Sequence, residues 1–144
     1  YAQGAVLVDP AIGDAGDIDT AVVTLRFRGG AIGIIENSRQ AVYGYDQRVE
    51  VFGSGGSLAA ENNTPHRVVA STTAGVNRAN PLYFFLERYM DSYVAEMGAF
   101  CHSIRNNQPT AVSGTDGRIP VVIGMACWKS YREGRPVRLD EIRA

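Results

Sequence analysis

Lysine is nearly absent from these 144 residues. Lys129 stands alone beside thirteen arginines, so chemistry that needs an amine base or nucleophile has one candidate. The arginines are scattered and acids balance them, for a formal net charge of −1. A polyanion such as nucleic acid therefore has no basic surface to meet. Histidine is scarce too. His66 and His102 are isolated, with no second His or Cys at ligand spacing, which argues against a zinc or other metal site. Cys101 and Cys127 are the only cysteines. Each falls inside an apolar helical pattern, as expected of free core thiols in a cytoplasmic protein. No run of about 18 apolar residues occurs, so no membrane span is expected. No Met and no leader stand before the strand-like pattern at Tyr1, as expected of a piece cut from a longer chain.

What is present is ordinary for a globular protein: 45% apolar and 20% charged residues, enough for one domain over 1–144. The first two-thirds alternate with period two. Strands are expected at 1–8, 17–28, 31–39, 47–53, 57–61, 66–72 and 75–79, with a loop at 13–17 and turns rich in Gly, Asn and Thr. Gly29-Gly30 reads as a two-residue hairpin turn. That register sets Phe27 opposite Ile32 and Leu25 opposite Ile34. Ala21, Val23, Leu25, Phe27, Ile32 and Ile34 then share one face, and Ile18, Thr20, Val22, Thr24, Gly33, Ile35 and Asn37 the other. The last third changes period. Leu86, Met90, Tyr93, Met97, Phe100 and Ile104 form one stripe of a helix over 82–106. Ser113 and Asp116 resemble a capping box, and Gly117 and Pro120 are expected to weaken or kink the first turns. A helix at 121–133 stops at Gly134 and Pro136, and 137–139 reads as a last edge strand. The fold class is α+β: an open, mainly antiparallel sheet of six or seven strands with two helices on one face. The uncovered face, half apolar and small-chained, suits a second subunit or domain.

The glycines of Gly53-Ser54-Gly55-Gly56 invite a phosphate-loop reading. Such a loop must open a helix, so that backbone N–H groups and the helix N-terminus meet the anion. Here the chain leads into another short strand without a lysine, and a hairpin turn is expected. Strand direction places that turn at the opposite end from Tyr43 and Tyr45, about 20 Å away at roughly 3.3 Å per residue. At the tyrosine end collect Asn37, Ser38, Arg39, Gln40, Asp46, Gln47 and Arg48, with Asp14 and Asp17 across the way. From chemistry alone this is either a solvated loop or a site for a hydroxyl-rich ligand.

The order NSRQAVYGYDQRVEVFGSGGSL, YFFLERYMDSYVAEMGAF and SGTDGRIPVVIGMACWKSYREGRPVRL resembles inositol 2-dehydrogenases, a branch of the glucose–fructose oxidoreductase-like NAD(P)-dependent family. The likeness is to the C-terminal domain and covers nearly the whole chain, with YGYDQRVEVFG its most specific part. It implies an open-sheet α+β domain that follows a nucleotide-binding domain. It implies an oxidoreductase that moves a hydride from a polyol carbon to NAD. The family's cofactor glycine motif, its lysine in a Glu-Lys-Pro context and its Asp-x-x-x-His helix are absent here, so neither catalytic residues nor a cofactor site are expected in this chain, and Lys129 stands in the wrong context. The resemblance implies substrate contacts at Tyr43 or Tyr45, with Asn37 and Arg39 beside them. It also implies self-association as a dimer or tetramer through the open sheet face. Tyr83 and Tyr89 are candidates to reach a neighbouring subunit's pocket, or else helix-core residues. Another sugar or polyol as substrate, or a non-catalytic oligomerisation module, are the alternatives.

Overall fold

The computed structural model describes residues 1–142. Its elements are β1 (Ala2–Ala5), α1 (Pro10–Asp14), β2 (Thr20–Arg26), β3 (Ile32–Ser38), β4 (Val49–Gly53), β5 (Gly56–Ala60), β6 (Val69–Thr72), β7 (Gly75–Arg78), α2 (Phe85–Arg105), α3 (Gly114–Glu133) and a 3₁₀ turn at Leu139–Glu141. They fall into two units. The first combines Tyr1–Gln40 with the segment from Pro109 onward, and the second is Ala41–Gln108.

In the first unit β1, β2 and β3 form an antiparallel sheet in that order. Tyr1 and Thr24 exchange backbone bonds, so the N–H of the next residue, Ala2, points away from β2. It donates to Ser130 Oγ at 2.9 Å, which brings α3 along the outer edge of β1. Ala2, Val23, Val122 and Ala126 are the buried apolar residues there. The capping box is present: Asp116 N–H donates to Ser113 Oγ at 3.3 Å and Ser113 N–H to Asp116 at 2.8 Å. α3 starts at Gly114, inside the box, and includes Gly117 and Pro120, ahead of the stretch expected from residue 121. Gly134 ends it at φ +64°, the left-handed conformation that favours glycine.

The Gly29-Gly30 turn is wider than two residues. Phe27 N–H donates to Ala31 C=O and Gly30 N–H to Phe27 C=O, which shifts the register by one. Leu25 pairs with Gly33, Thr24 with Ile34 and Val22 with Glu36. A one-residue slip moves a whole strand to the other face. The expected faces are corrected accordingly: Gly33, Ile35 and Asn37 lie with Ala21, Val23 and Leu25, and Ile32, Ile34 and Glu36 with Thr20, Val22 and Thr24. Phe27 covers Gly33, where a Cβ would meet its ring at 3.2 Å. Ile18 precedes the strand and sits over Gly4, where a Cβ would run into its side chain.

Two further expectations change. Residues 10–14 form a short helix that the loop reading missed, capped by Asp9, whose carboxylate accepts from Ala11 N–H, and opened by Pro10. The 137–139 stretch is not a strand; its end enters the 3₁₀ turn, held by Arg138 N–H on Glu141 at 2.9 Å.

The second unit holds two hairpins, β4–β5 and β6–β7, and α2. Gly53 pairs with Gly56 across Ser54-Gly55, and Gly56 has φ +136°, so the glycine cluster is a turn between antiparallel strands. Among the described residues the seven strands are hydrogen-bonded as three, two and two, not as the one sheet expected. Period-two patterning identifies strands and not their neighbours, which is why it misled here. The α+β class stands, with three helices. The α2 stripe is present, but Leu86, Met90, Tyr93, Met97, Phe100 and Ile104 are all exposed, and so is Cys101. Among the described residues no helix is long and apolar enough to cross a membrane.

Candidate functional site

The tyrosine loop begins with a backbone constraint. Gly44 has φ +138°, and a Cβ there would come within 2.8 Å of Pro81 C=O. The loop can pass this close only as glycine. Tyr45 N–H then donates to Leu82 C=O at 2.9 Å, and Leu82 N–H to Asn63 C=O at 2.9 Å. The two tyrosines flanking Gly44 therefore meet different surroundings. The Tyr45 ring stands edge-on to Tyr89, centroids 6.0 Å apart, and tilted beside Phe85 at 6.3 Å. Tyr43 is 44% exposed, and its hydroxyl donates to Asp46.

Asp46 is the hub. Its carboxylate accepts from Arg48 at 2.8 and 3.0 Å, from Asn62 Nδ2 at 2.6 Å and from the Tyr43 hydroxyl. Asn62 Oδ1 in turn accepts from Gln47 N–H at 2.9 Å and Arg88 at 3.1 Å. Arg88 reaches back from α2 to Gln47 C=O at 2.7 Å, and the Tyr89 hydroxyl donates to the Gln47 side chain. The Asp46 side chain is 14% exposed and that of Arg48 61%. The hydrogen bonds from Arg48, Tyr43 and Asn62 hold the Asp46 carboxyl far below the usual carboxylate range. Tyr43 moves the other way: its bond to Asp46 first, then burial, raise its pKa. At neutral pH the loop thus carries a fixed carboxylate, a protonated phenol and a guanidinium, groups that bond hydroxyls well.

Of the expected contacts, Tyr43 and Tyr45 belong to this network. Asn37 and Arg39 lie in the first unit: Asn37 pairs with Ala21, and Arg39 N–H donates to Asp19 C=O at 2.8 Å. Both are exposed. Tyr83 precedes α2 and is 82% exposed. Lys129 pairs with Glu141 at 3.3 Å. His66 and His102 bond to residues close in sequence, His66 to Thr64 and Val68 and His102 to Asn106. Among the described residues no cluster of His, Cys, Asp or Glu is placed to hold a metal ion. Asn62 and Arg88 escaped the sequence reading. One signal was available for Arg88: it sits in the first turn of α2, where the helix dipole disfavours a cation, so acceptors outside the helix must hold it.

A family model described as the C-terminal alpha/beta domain of an oxidoreductase family matches residues 3–139. The chain belongs to that family. Within it, the chain is 52% identical over 142 residues to a myo-inositol 2-dehydrogenase of Thermotoga maritima, covering 99% of this chain and 42% of that enzyme. It is 33% identical to a scyllo-inositol 2-dehydrogenase (NAD(+)) of Bacillus subtilis, over 99% of this chain and 41% of that one. The crystal structure of a probable dehydrogenase from Thermotoga maritima superposes with a TM-score of 0.96 at 52% identity, over 99% of this chain and 43% of its own. The chain thus spans about two-fifths of the length of the curated relatives it matches, and it has the fold of this oxidoreductase domain.

Proposed function

We propose that this chain is the substrate-side and assembly domain of an NAD-dependent inositol 2-dehydrogenase. The observation that carries the reading is the braced loop from Tyr43 to Arg48: a half-exposed phenol on a fixed carboxylate, beside a guanidinium, at the end of β4 away from the glycine turn. Such groups suit a ring of hydroxyls, and a tyrosine face suits its C–H side. The names of the relatives support inositol over other polyols.

The glycine turn does not fit a dinucleotide. Gly53–Gly56 joins two strands and opens no helix, so no phosphate cradle is formed there. When bound elsewhere in the enzyme, NAD accepts the hydride, and this chain orients the alcohol. We assign Tyr43 to the polyol, with Tyr45 the alternative. The isolated chain is expected not to bind NADH. Titration followed by NADH fluorescence checks this, and saturable micromolar binding would overturn it. The two unpaired thiols suit a reducing compartment, the cytoplasm.

The test of the substrate assignment is kinetic. In the full-length enzyme Tyr43→Phe should raise KM for myo-inositol by up to about tenfold, one hydrogen bond's worth, and leave the KM for NAD unchanged. Unaltered inositol kinetics in both Tyr43→Phe and Tyr45→Phe would make the loop a solvated surface.

A further inference from the structure

The Tyr43 hydroxyl has one hydrogen and two lone pairs. Its hydrogen is already committed, because the hydroxyl donates to Asp46. Asp46 cannot turn away from that bond. Arg48 approaches it with two nitrogens and Asn62 with a third. Asn62 is itself fixed by Gln47 N–H and Arg88. The direction of the bond is equally fixed. Asp46 is held ionised, so it can only accept, and the raised pKa of Tyr43 keeps its proton in place through neutral pH. What a ligand meets is therefore a phenol oxygen with lone pairs to offer and no free hydrogen.

Resting on the assignment of Tyr43 to the polyol, we infer that Asp46 is a positioning and specificity-determining residue: it polarises the Tyr43 contact so that the substrate hydroxyl there must act as the donor. The site then distinguishes a hydroxyl from any group that only accepts. Asp46 touches no reacting atom; it acts through Tyr43, and the Asn62–Arg88 brace ties its orientation to the first turn of α2.

The experiment uses the full-length enzyme with two series of probes, monodeoxy-inositols and monodeoxyfluoro-inositols. Fluorine accepts a hydrogen bond but cannot donate one. The position that Tyr43 serves is the one where the deoxy penalty in KM disappears in Tyr43→Phe. At that position the fluoro analogue should bind the wild-type enzyme no better than the deoxy analogue, both weakened by up to about tenfold against inositol. In Asp46→Asn, the amide can donate to the phenol oxygen and release the phenol hydrogen towards the ligand. The fluoro analogue should then gain on the deoxy analogue in KM with kcat little changed, a reversal that a purely structural role for Asp46 does not produce. A fluoro analogue that restores inositol-like KM in the wild type overturns the inference and leaves the assignment of Tyr43 standing. A Tyr43→Phe variant with unchanged inositol kinetics overturns both. If Asp46→Asn fails to fold, the wild-type comparison still decides.

Discussion

Ser130 is the most buried side chain described, at 2% exposure, and its hydroxyl uses both capacities. It accepts from Ala2 N–H and donates to Arg135 C=O at 2.6 Å. Ser130→Ala leaves a buried donor and acceptor without partners and should destabilise by about 1–3 kcal/mol, read from the denaturation midpoint. Asp19 is the comparable residue among the acids. It is 3% exposed and accepts from the N–H groups of Leu7, Val8 and Asp9 and from Thr20 Oγ1. Burial alone would favour its neutral form, but the backbone bonds outweigh it and hold the pKa far below the usual range. Asp19→Asn keeps the shape, loses the charge and adds an amide donor among three backbone donors. It should lower the melting temperature by several degrees, measured by calorimetry. Neither role was visible from the sequence, because Asp19 looks there like one more polar residue at a strand start.

At the scale of elements, Gly44→Ala is the sharpest test. A methyl group 2.8 Å from Pro81 C=O, on backbone at φ +138°, should cost about 1–3 kcal/mol and displace the tyrosine loop. A raised KM for inositol with unchanged NAD binding is the expected kinetic signature. The elements themselves were largely legible. Ser113, Asp116 and Gly134 announced both ends of α3, and the 3.6-residue stripe announced α2. The Asp9-Pro10 pair carries the same kind of information for α1, in a segment otherwise rich in Gly and Asp. The β2–β3 register was not legible. A Gly-Gly pair between two alternating runs fits a tight turn, whereas the turn that forms is wider, with Phe27 packed over Gly33. The site was half legible for a related reason. Tyr43, Asp46 and Arg48 lie within six residues, whereas Asn62 and Arg88 are brought in by the hairpin and the helix.

For the whole molecule, acid should unfold it through its depressed carboxylates. Asp19, Asp46 and Glu141, the last lowered to about 2 by Arg135, Arg138 N–H and Lys129, bind protons more readily when unfolded. Their contribution is complete above about pH 5 and is lost as pH falls through 4 towards 2, which a pH series of thermal melts would trace. Self-association is the second molecular test. Val22, Ile32 and Ile34 share the sheet face away from Val23 and are 44%, 72% and 68% exposed. We expect a dimer or tetramer through this face, and Val22→Lys should split it. A 15.5 kDa particle in light scattering of the unmodified chain at tens of micromolar would refute this. The bond from Ala2 to Ser130 bears on the order of folding. It joins positions 128 apart in sequence, and the first unit takes segments that precede and follow the second along the chain. On a ribosome, residues 41–108 emerge whole before α3 exists, so their hairpins and helix can close early over short loops. The three-stranded sheet must wait with one edge bare until Ser130 arrives, which makes α3 the late-arriving clasp and β1 the strand most open to mispairing in the meantime.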